Sequence, residues 1–392
     1  MEECAIRRGW GGGTDPPICG ASGRVDSGPS AKMSRAHNIV LVLCFVTVLA
    51  APTVASILGW NPMGAIDERR KLAKKPDESP WSLRGLSRTS EWEKYFNDHF
   101  GLRKLLIGSY RFATFHALGT SPNPAVVVGE SDGTSRWLYY DAGVVNDGLG
   151  LDAFLGRNPY TAAELTAVGE TLKKVSALVR EKGAKLIIAV CPDKQTIYPE
   201  YLPASKRPRP GHLSRLDQFW AMAATLDSVP LVDVSIPLKQ AKADRPLYYP
   251  GDTHWNLQGG LVAYLAIARA LARQDASRTV LPVENLEWTL GPPRPGDLVR
   301  LMGVPGLAGD PDWQPTPASY AALAGPKQGK LLVIFDSFFP AIEYYLGLQF
   351  ETVKKFYVTH GMREALLIPG LLDAEKPDVV LLQSVERFWT AD

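Results

Sequence analysis

Residues 331–346 read LLVIFDSFFPAIEYYL: five apolar residues, an Asp-Ser pair, then aromatic and aliphatic positions at helical spacing. A short continuous apolar run fits a strand covered on both faces, so Leu331–Phe335 predicts a buried strand and Phe338–Leu346 predicts the helix that leaves it. The same alternation recurs upstream. Thr161 with Glu164 three positions later is a capping-box pattern for a helix running to Lys182; Gly183 ends it, and Lys185–Val190 is a short apolar strand. A helix over 213–227 leads to a strand at Leu231–Val234, a helix over 257–273 follows the loop GDTHWN, and Asp378–Leu382 reads as a closing strand. Strands alternating with helices predict an α/β protein with a three-layer α/β/α architecture around a parallel sheet.

Further out the signals change. Between 90 and 118, Trp92, Tyr95, Phe96, Phe100, Leu102, Leu105, Leu106, Tyr110, Phe112 and Phe115 recur at roughly helical intervals, which predicts one or two amphipathic helices. Ala125–Val128 and Trp137–Tyr140, with SDG between them, predict a hairpin. The Pro-rich stretch 276–326 reads as an irregular insertion.

Toward the start, Asn38–Trp60 carries no charged residue, and about 20 such residues in a helix cross the ~30 Å hydrocarbon layer. We therefore expect a disordered tail over 1–37, a transmembrane helix or signal anchor over 38–60, a linker over 61–80 and one folded domain over 81–392. Pro52 does not forbid a membrane helix. Met33 is an alternative start, and Thr53-Val54-Ala55 before Ser56 is a small-residue cleavage pattern, so a retained anchor and a cleaved signal both remain open. By charge, Arg24, Lys32 and Arg35 precede the run while Arg69, Arg70, Lys71, Lys74 and Lys75 follow it, and the positive-inside rule alone places the large domain in the cytoplasm.

Composition narrows the function classes. The 43 basic and 41 acidic residues nearly cancel to a net +2, which argues against nucleic acid as a partner held by bulk positive charge. Four cysteines, at 4, 19, 44 and 191, form neither a disulfide framework nor a metal-ligand cluster.

Open parallel sheets bind ligands at the carboxyl ends of their strands. Asp336-Ser337 sits at one such end, where a sharp strand-to-helix turn exposes a serine and aims the first helical N–H groups at an oxyanion. In GDTHWN, residues 251–256, Asp252 and His254 stand two apart. A serine hydroxyl needs a base to take its proton, and the base needs a carboxylate to fix its tautomer. Ser337, His254 and Asp252 fill those three roles. Bland readings stand beside this one: an Asp before a Ser is often a helix cap, and His254 can be a hydrogen-bonded interior residue. Asp252 and His254 can also ligate a metal, but no other His or Cys lies at ligand spacing, and neither metal nor cofactor is expected. The third loop, CPDKQTIYPEYLP at 191–203, offers Lys194 and Tyr198 as substrate-groove residues, with Trp255 a further candidate; its prolines equally suit a brace for the sheet.

YFNDHFGLRKLLI, VVVGESDGTSRWLYYD, CPDKQTIYPEYLP, LYYPGDTHWN, FDSFF and VVLLQSVERFW together resemble, in order, the alginate O-acetyltransferase AlgJ/AlgX family over roughly residues 90–390. The resemblance implies an SGNH-hydrolase-like domain with Ser337 as nucleophile, His254 as general base and Asp252 as its orienter. It implies O-acetylation of an exported bacterial polysaccharide, alginate or a similar exopolysaccharide. It further implies an inner-membrane, single-pass protein with its catalytic domain in the periplasm, supplied with acetyl groups by a multispanning membrane-bound acyltransferase. That orientation opposes the charge count. A water-consuming carbohydrate esterase and a non-catalytic polysaccharide-binding scaffold are the alternatives. Phe335 stands where such proteins often carry Gly or His before the Asp-Ser pair. No separate carbohydrate-binding module is expected after the domain, which favours the shorter, membrane-tethered J-like arrangement.

Overall fold

The computed structural model describes residues 35–60, 62, 70–77, 79–82, 84, 87–145, 149–358 and 368–389. Most of the expected disordered tail, with Met33, lies outside those residues, as does much of the expected linker. The apolar run forms one helix, Arg35–Leu58, of 24 residues, whose most apolar 18-residue stretch has a mean hydropathy of 2.4. At 1.5 Å per residue it reaches about 36 Å, enough to cross a bilayer. Pro52 is inside it, and Ala55 is its one buried residue.

Nine strands follow among the described residues: β1 (Val126–Ser131), β2 (Arg136–Tyr140), β3 (Lys185–Cys191), β4 (Leu231–Asp233), β5 (Trp288–Arg294), β6 (Asp310–Pro315), β7 (Lys330–Phe335), β8 (Thr352–Tyr357) and β9 (Val379–Val385). Five of them make the central sheet in the order β4-β3-β9-β7-β8, every pairing parallel. The expected hairpin is β1 with β2, antiparallel.

Why the strands read as unbroken apolar runs is visible in their two faces. Ile187, Ala189, Cys191, Leu331, Val333, Val379 and Leu381 point to one side, against the helices Leu257–Gln274 and Phe339–Leu346. Leu186, Ile188, Val190, Leu332, Ile334, Val380 and Leu382 point to the other, against Ala162–Glu181, Arg215–Ala223 and Ile368–Glu375. Both sides of β3, β7 and β9 are covered, so in these strands period-2 alternation loses its polar half. This is the expected three-layer α/β/α arrangement.

Local chemistry sets the element ends. Thr161 and Glu164 form the reciprocal capping box, and Gly183, at φ +78°, closes that helix before β3. Ser214 and Asp217 do the same for the next helix.

Two expectations need correction. The stretch 276–326 is not irregular: β5 and β6 pair as an antiparallel ribbon whose connection carries the helix Asp297–Met302. Its prolines 292, 293, 311 and 315 are tolerated because both strands of a two-stranded ribbon are edges. The strand β8, between the expected helix at Phe338–Leu346 and the closing strand, is an addition that the sequence pattern did not announce.

Candidate active site

The turn after β7 is built on Asp336. Its carboxylate is buried and accepts from the Phe338 N–H (3.0 Å), the Gln383 amide (2.9 Å) and the Val385 N–H (2.6 Å), so β9 fixes the turn from beneath. A buried carboxyl group needs donors to replace its lost water, and three do so here. Ser337 is thereby held at the start of the helix Phe339–Leu346, partly exposed. The Phe338 and Phe339 N–H groups are occupied by Asp336, whereas the Ser337 N–H has no partner among the described residues.

The second loop, 247–256, is clamped from several directions. Lys194 sends its Nζ under it, donating to the carbonyls of Tyr249 (3.0 Å), Pro250 (2.9 Å) and Asp252 (2.6 Å). The Gly251 N–H donates to the Asp310 carboxylate, and the Leu138 N–H of the hairpin donates to the Pro250 carbonyl. Asn256 caps the helix Leu257–Gln274 by accepting from the Gln258 and Gly259 N–H groups. That helix crosses Phe339–Leu346 so closely that a Cβ on Gly260 would fall 2.5 Å from the Ala341 Cβ.

These two scaffolds bring three side chains together. His254 Nε2 lies 2.8 Å from Ser337 Oγ, and His254 Nδ1 lies 2.6 Å from Asp252 Oδ1. His254 is partly exposed, and Asp252 is 1% exposed. Burial raises the Asp252 pKa, but the hydrogen bonds and charge of His254, with the Asp297 N–H, outweigh it and leave the carboxyl below its ordinary range. Asp252 therefore stays ionised and holds the ring with its Nε2 free for the hydroxyl.

A second carboxylate that the sequence pattern did not reveal stands at the same ring. Asp297 Oδ2 is 3.6 Å from His254 Nδ1; its Oδ1 accepts from the Thr253 N–H (2.7 Å), its Oδ2 from the Thr253 hydroxyl, and its own N–H donates to Asp252 Oδ2 (3.0 Å). Asp252, His254 and Asp297 offer donor atoms within 4.8 Å of one another, a spacing a cation could use. Each of those atoms already has a hydrogen-bonding partner in the loop, so a cation would have to break the contacts that orient the imidazole.

The remaining expected site residues are interior. Lys194 is 2% exposed; burial pushes it down to about 8, against the pull of the Asp310, Asp252 and Asp297 carboxylates. Tyr198 accepts from the Leu247 N–H through its hydroxyl and from the Tyr139 hydroxyl through its carbonyl; burial lifts its phenol to about 12. Trp255, 2% exposed, donates its indole N–H to the Phe338 carbonyl. All three brace the loops instead of lining a groove. Phe335 turns sideways, its ring against Phe339 and Tyr357.

A parallel three-layer sheet, with a serine on a strand-to-helix turn facing an imidazole and a buried carboxylate, defines an SGNH-hydrolase-like domain. The chain belongs to the family described as "SGNH hydrolase-like domain, acetyltransferase AlgX", whose model matches residues 118–332, a span that includes Asp252 and His254 and ends before Ser337. Among curated proteins it is similar to the "Probable alginate O-acetylase AlgJ" of Pseudomonas putida, 32% identical over 154 residues, 36% of this chain and 40% of the relative. A protein of the same name from Azotobacter vinelandii is 25% identical over 276 residues, 69% of this chain and 62% of the relative. The chain thus spans about half the length of the curated relatives it matches. The solved O-acetyltransferase domain of Pseudomonas putida AlgJ is 23% identical with a TM-score of 0.48, covering 68% of this chain and 92% of that domain.

Proposed function

We propose that the protein is an O-acetyltransferase that passes an acetyl group through Ser337 onto hydroxyls of an exported polysaccharide, alginate or a similar polymer. The observation that carries this reading is the 2.8 Å approach of His254 Nε2 to Ser337 Oγ, with Asp252 on the far side of the ring. Ser337 Oγ attacks the acetyl carbonyl of the donor while His254 takes the hydroxyl proton, and the Ser337 N–H donates to the developing oxyanion. His254 returns the proton to the leaving group, leaving acetyl-Ser337. A sugar hydroxyl then loses its proton to His254 and attacks the acetyl carbonyl, and as the intermediate collapses His254 returns that proton to Ser337 Oγ, restoring the free serine. Asp252 stabilises the imidazolium in both halves.

The helix Arg35–Leu58 supports a single-pass anchor; the domain in the periplasm and a multispanning membrane-bound acyltransferase as the acetyl source are part of the same proposal and rest on the family resemblance. A reporter fused after residue 392 checks the orientation: alkaline phosphatase should be active, and inactivity would restore the side that the charge count favours.

The decisive experiment is to supply an activated acetyl ester with and without oligosaccharide and follow acetyl by mass spectrometry. Transfer to sugar that disappears in a folded Ser337→Ala variant supports the reading. Release to water alone, unaffected by sugar, makes the protein an esterase. Full transfer by Ser337→Ala removes the serine from the mechanism.

A further inference from the structure

Two helices between the anchor and the sheet carry apolar side chains on the wrong side. In Arg103–His116, the residues turned inward are Gly108, Thr114 and Phe115, while Leu106 is 56% and Tyr110 63% exposed. Ala113 and Ala117 continue the same exposed stripe at i+7 and i+11. On the preceding helix, Thr89–His99, Phe96 is 57% exposed, and Phe100 at the turn is exposed as well. An amphipathic helix on a water-facing surface presents polar residues outward, and clustered exposed aromatic and aliphatic groups mark a surface that meets something apolar.

The turn between these helices identifies the occupant. Gly101 rests against the last turns of Arg35–Leu58; a Cβ there would fall 2.1 Å from the Pro52 carbonyl oxygen and 2.6 Å from the Ser56 hydroxyl. Ala55, the buried residue of the anchor helix, lines one cavity with Leu102 of the same turn. The stripe therefore begins beside the last turns of that apolar helix, whose own side chains such as Ile57 and Leu58 are exposed. Cationic side chains border it. Asp98 accepts from the Ala73 N–H and pairs with Arg70, tying the segment that bears exposed Lys71, Lys74 and Lys75 to the first helix; Lys94 and Lys104 are also exposed. Aromatic and leucine side chains flanked by lysine are the composition of a segment lying in a membrane interface.

We propose that the face formed by Phe96, Phe100, Leu106 and Tyr110 is seated in the headgroup boundary of an anionic bilayer, making a second membrane contact beside the anchor. The proposal rests on the anchor reading and goes beyond it, because it fixes how the domain sits on the lipid.

The test uses the full chain with Cys4→Ser, Cys19→Ser and Cys44→Ala, leaving the buried Cys191. Single cysteines at Leu106→Cys, Tyr110→Cys, Val42→Cys in the anchor and Glu170→Cys on a distant exposed helix each receive an environment-sensitive fluorophore, in vesicles of phosphatidylethanolamine and phosphatidylglycerol. Circular dichroism confirms that each variant folds. The Leu106 and Tyr110 probes should shift to the blue and be quenched by lipid-borne nitroxide, as at Val42, while the Glu170 probe reports water. If Val42 reports lipid but Leu106 and Tyr110 behave like Glu170, the docked face is overturned and the anchor stands. If Val42 also reports water, the anchor reading falls first. Shielding of Leu106 in native membranes but not in pure lipid vesicles would assign the face to a protein partner and overturn the proposal.

Discussion

The Trp255 indole N–H donates to the Phe338 carbonyl over 2.9 Å, joining the residue after the imidazole to the residue after the hydroxyl. The spacing of His254 and Ser337 is thus set by their neighbours and does not depend on the hydrogen bond between the two side chains themselves. The rings of Trp255 and Phe338 meet edge to face at 5.2 Å, which adds stiffness to the same joint.

Trp255→Phe keeps most of the volume and removes the donor. One hydrogen bond is worth roughly 1 kcal/mol, so a small fall in Tm is expected, with kcat reduced about tenfold and the acceptor KM unchanged. A raised KM with kcat intact would mean that the tryptophan contacts sugar after all.

Asp252→Asn should lower kcat by roughly 10³ to 10⁴ by losing the tautomer that leaves Nε2 able to accept a proton. It should also change the response to acid. The folded pKa of Asp252 lies below its ordinary 3.8, so its stabilising contribution is present above that value and is lost as pH falls toward the folded pKa. The Tm gap between wild type and variant should be widest at neutral pH and narrow below about 3.8. A gap independent of pH would show that the ionised form is not favoured by folding.

Lys194→Met removes the donor shared by three buried carbonyls. Orphaned buried acceptors cost about 1–3 kcal/mol each when nothing replaces the donor, so chemical denaturation should reveal a loss on the order of 3 kcal/mol or more. A change confined to KM, with stability untouched, would restore the substrate-groove role expected from sequence.

Gly260→Leu places a side chain where the Ala341 Cβ already lies within 2.5 Å of a new Cβ. Overpacking at a helix crossing costs roughly 1–3 kcal/mol and here also spreads the His254 and Ser337 scaffolds apart. We expect lower Tm and lost activity together; an active, stable variant would show that the crossing does not set the site.

Much of this was legible because local and global signals agree where chain segments are buried on both sides. The apolar run of β7, the capping box at Thr161 and the Asp252–His254 pair each carry their own pattern. β8 did not: Lys354 and Lys355 stand together in TVKKFY, which breaks alternation while guarding an edge strand against further pairing. The β5–β6 ribbon hid behind its prolines. Asp297 reaches His254 through tertiary contact alone, with no spacing to announce it. The burial of Lys194 was not legible for a physical reason, since lysines are seldom buried and this one finds its acceptors in a loop some 55 residues away.

The last strand of the described chain, β9, is third of five across the sheet, and from it Gln383 and Val385 supply two of the donors that hold Asp336. In chain order β3, β4, β7 and β8 all precede the strand that pairs between β3 and β7. The Ser337 turn is therefore held by donors 47 and 49 positions further along the chain than Asp336. A chain cut short before Gln383 would keep the serine yet lose two of the hydrogen bonds that shape its turn.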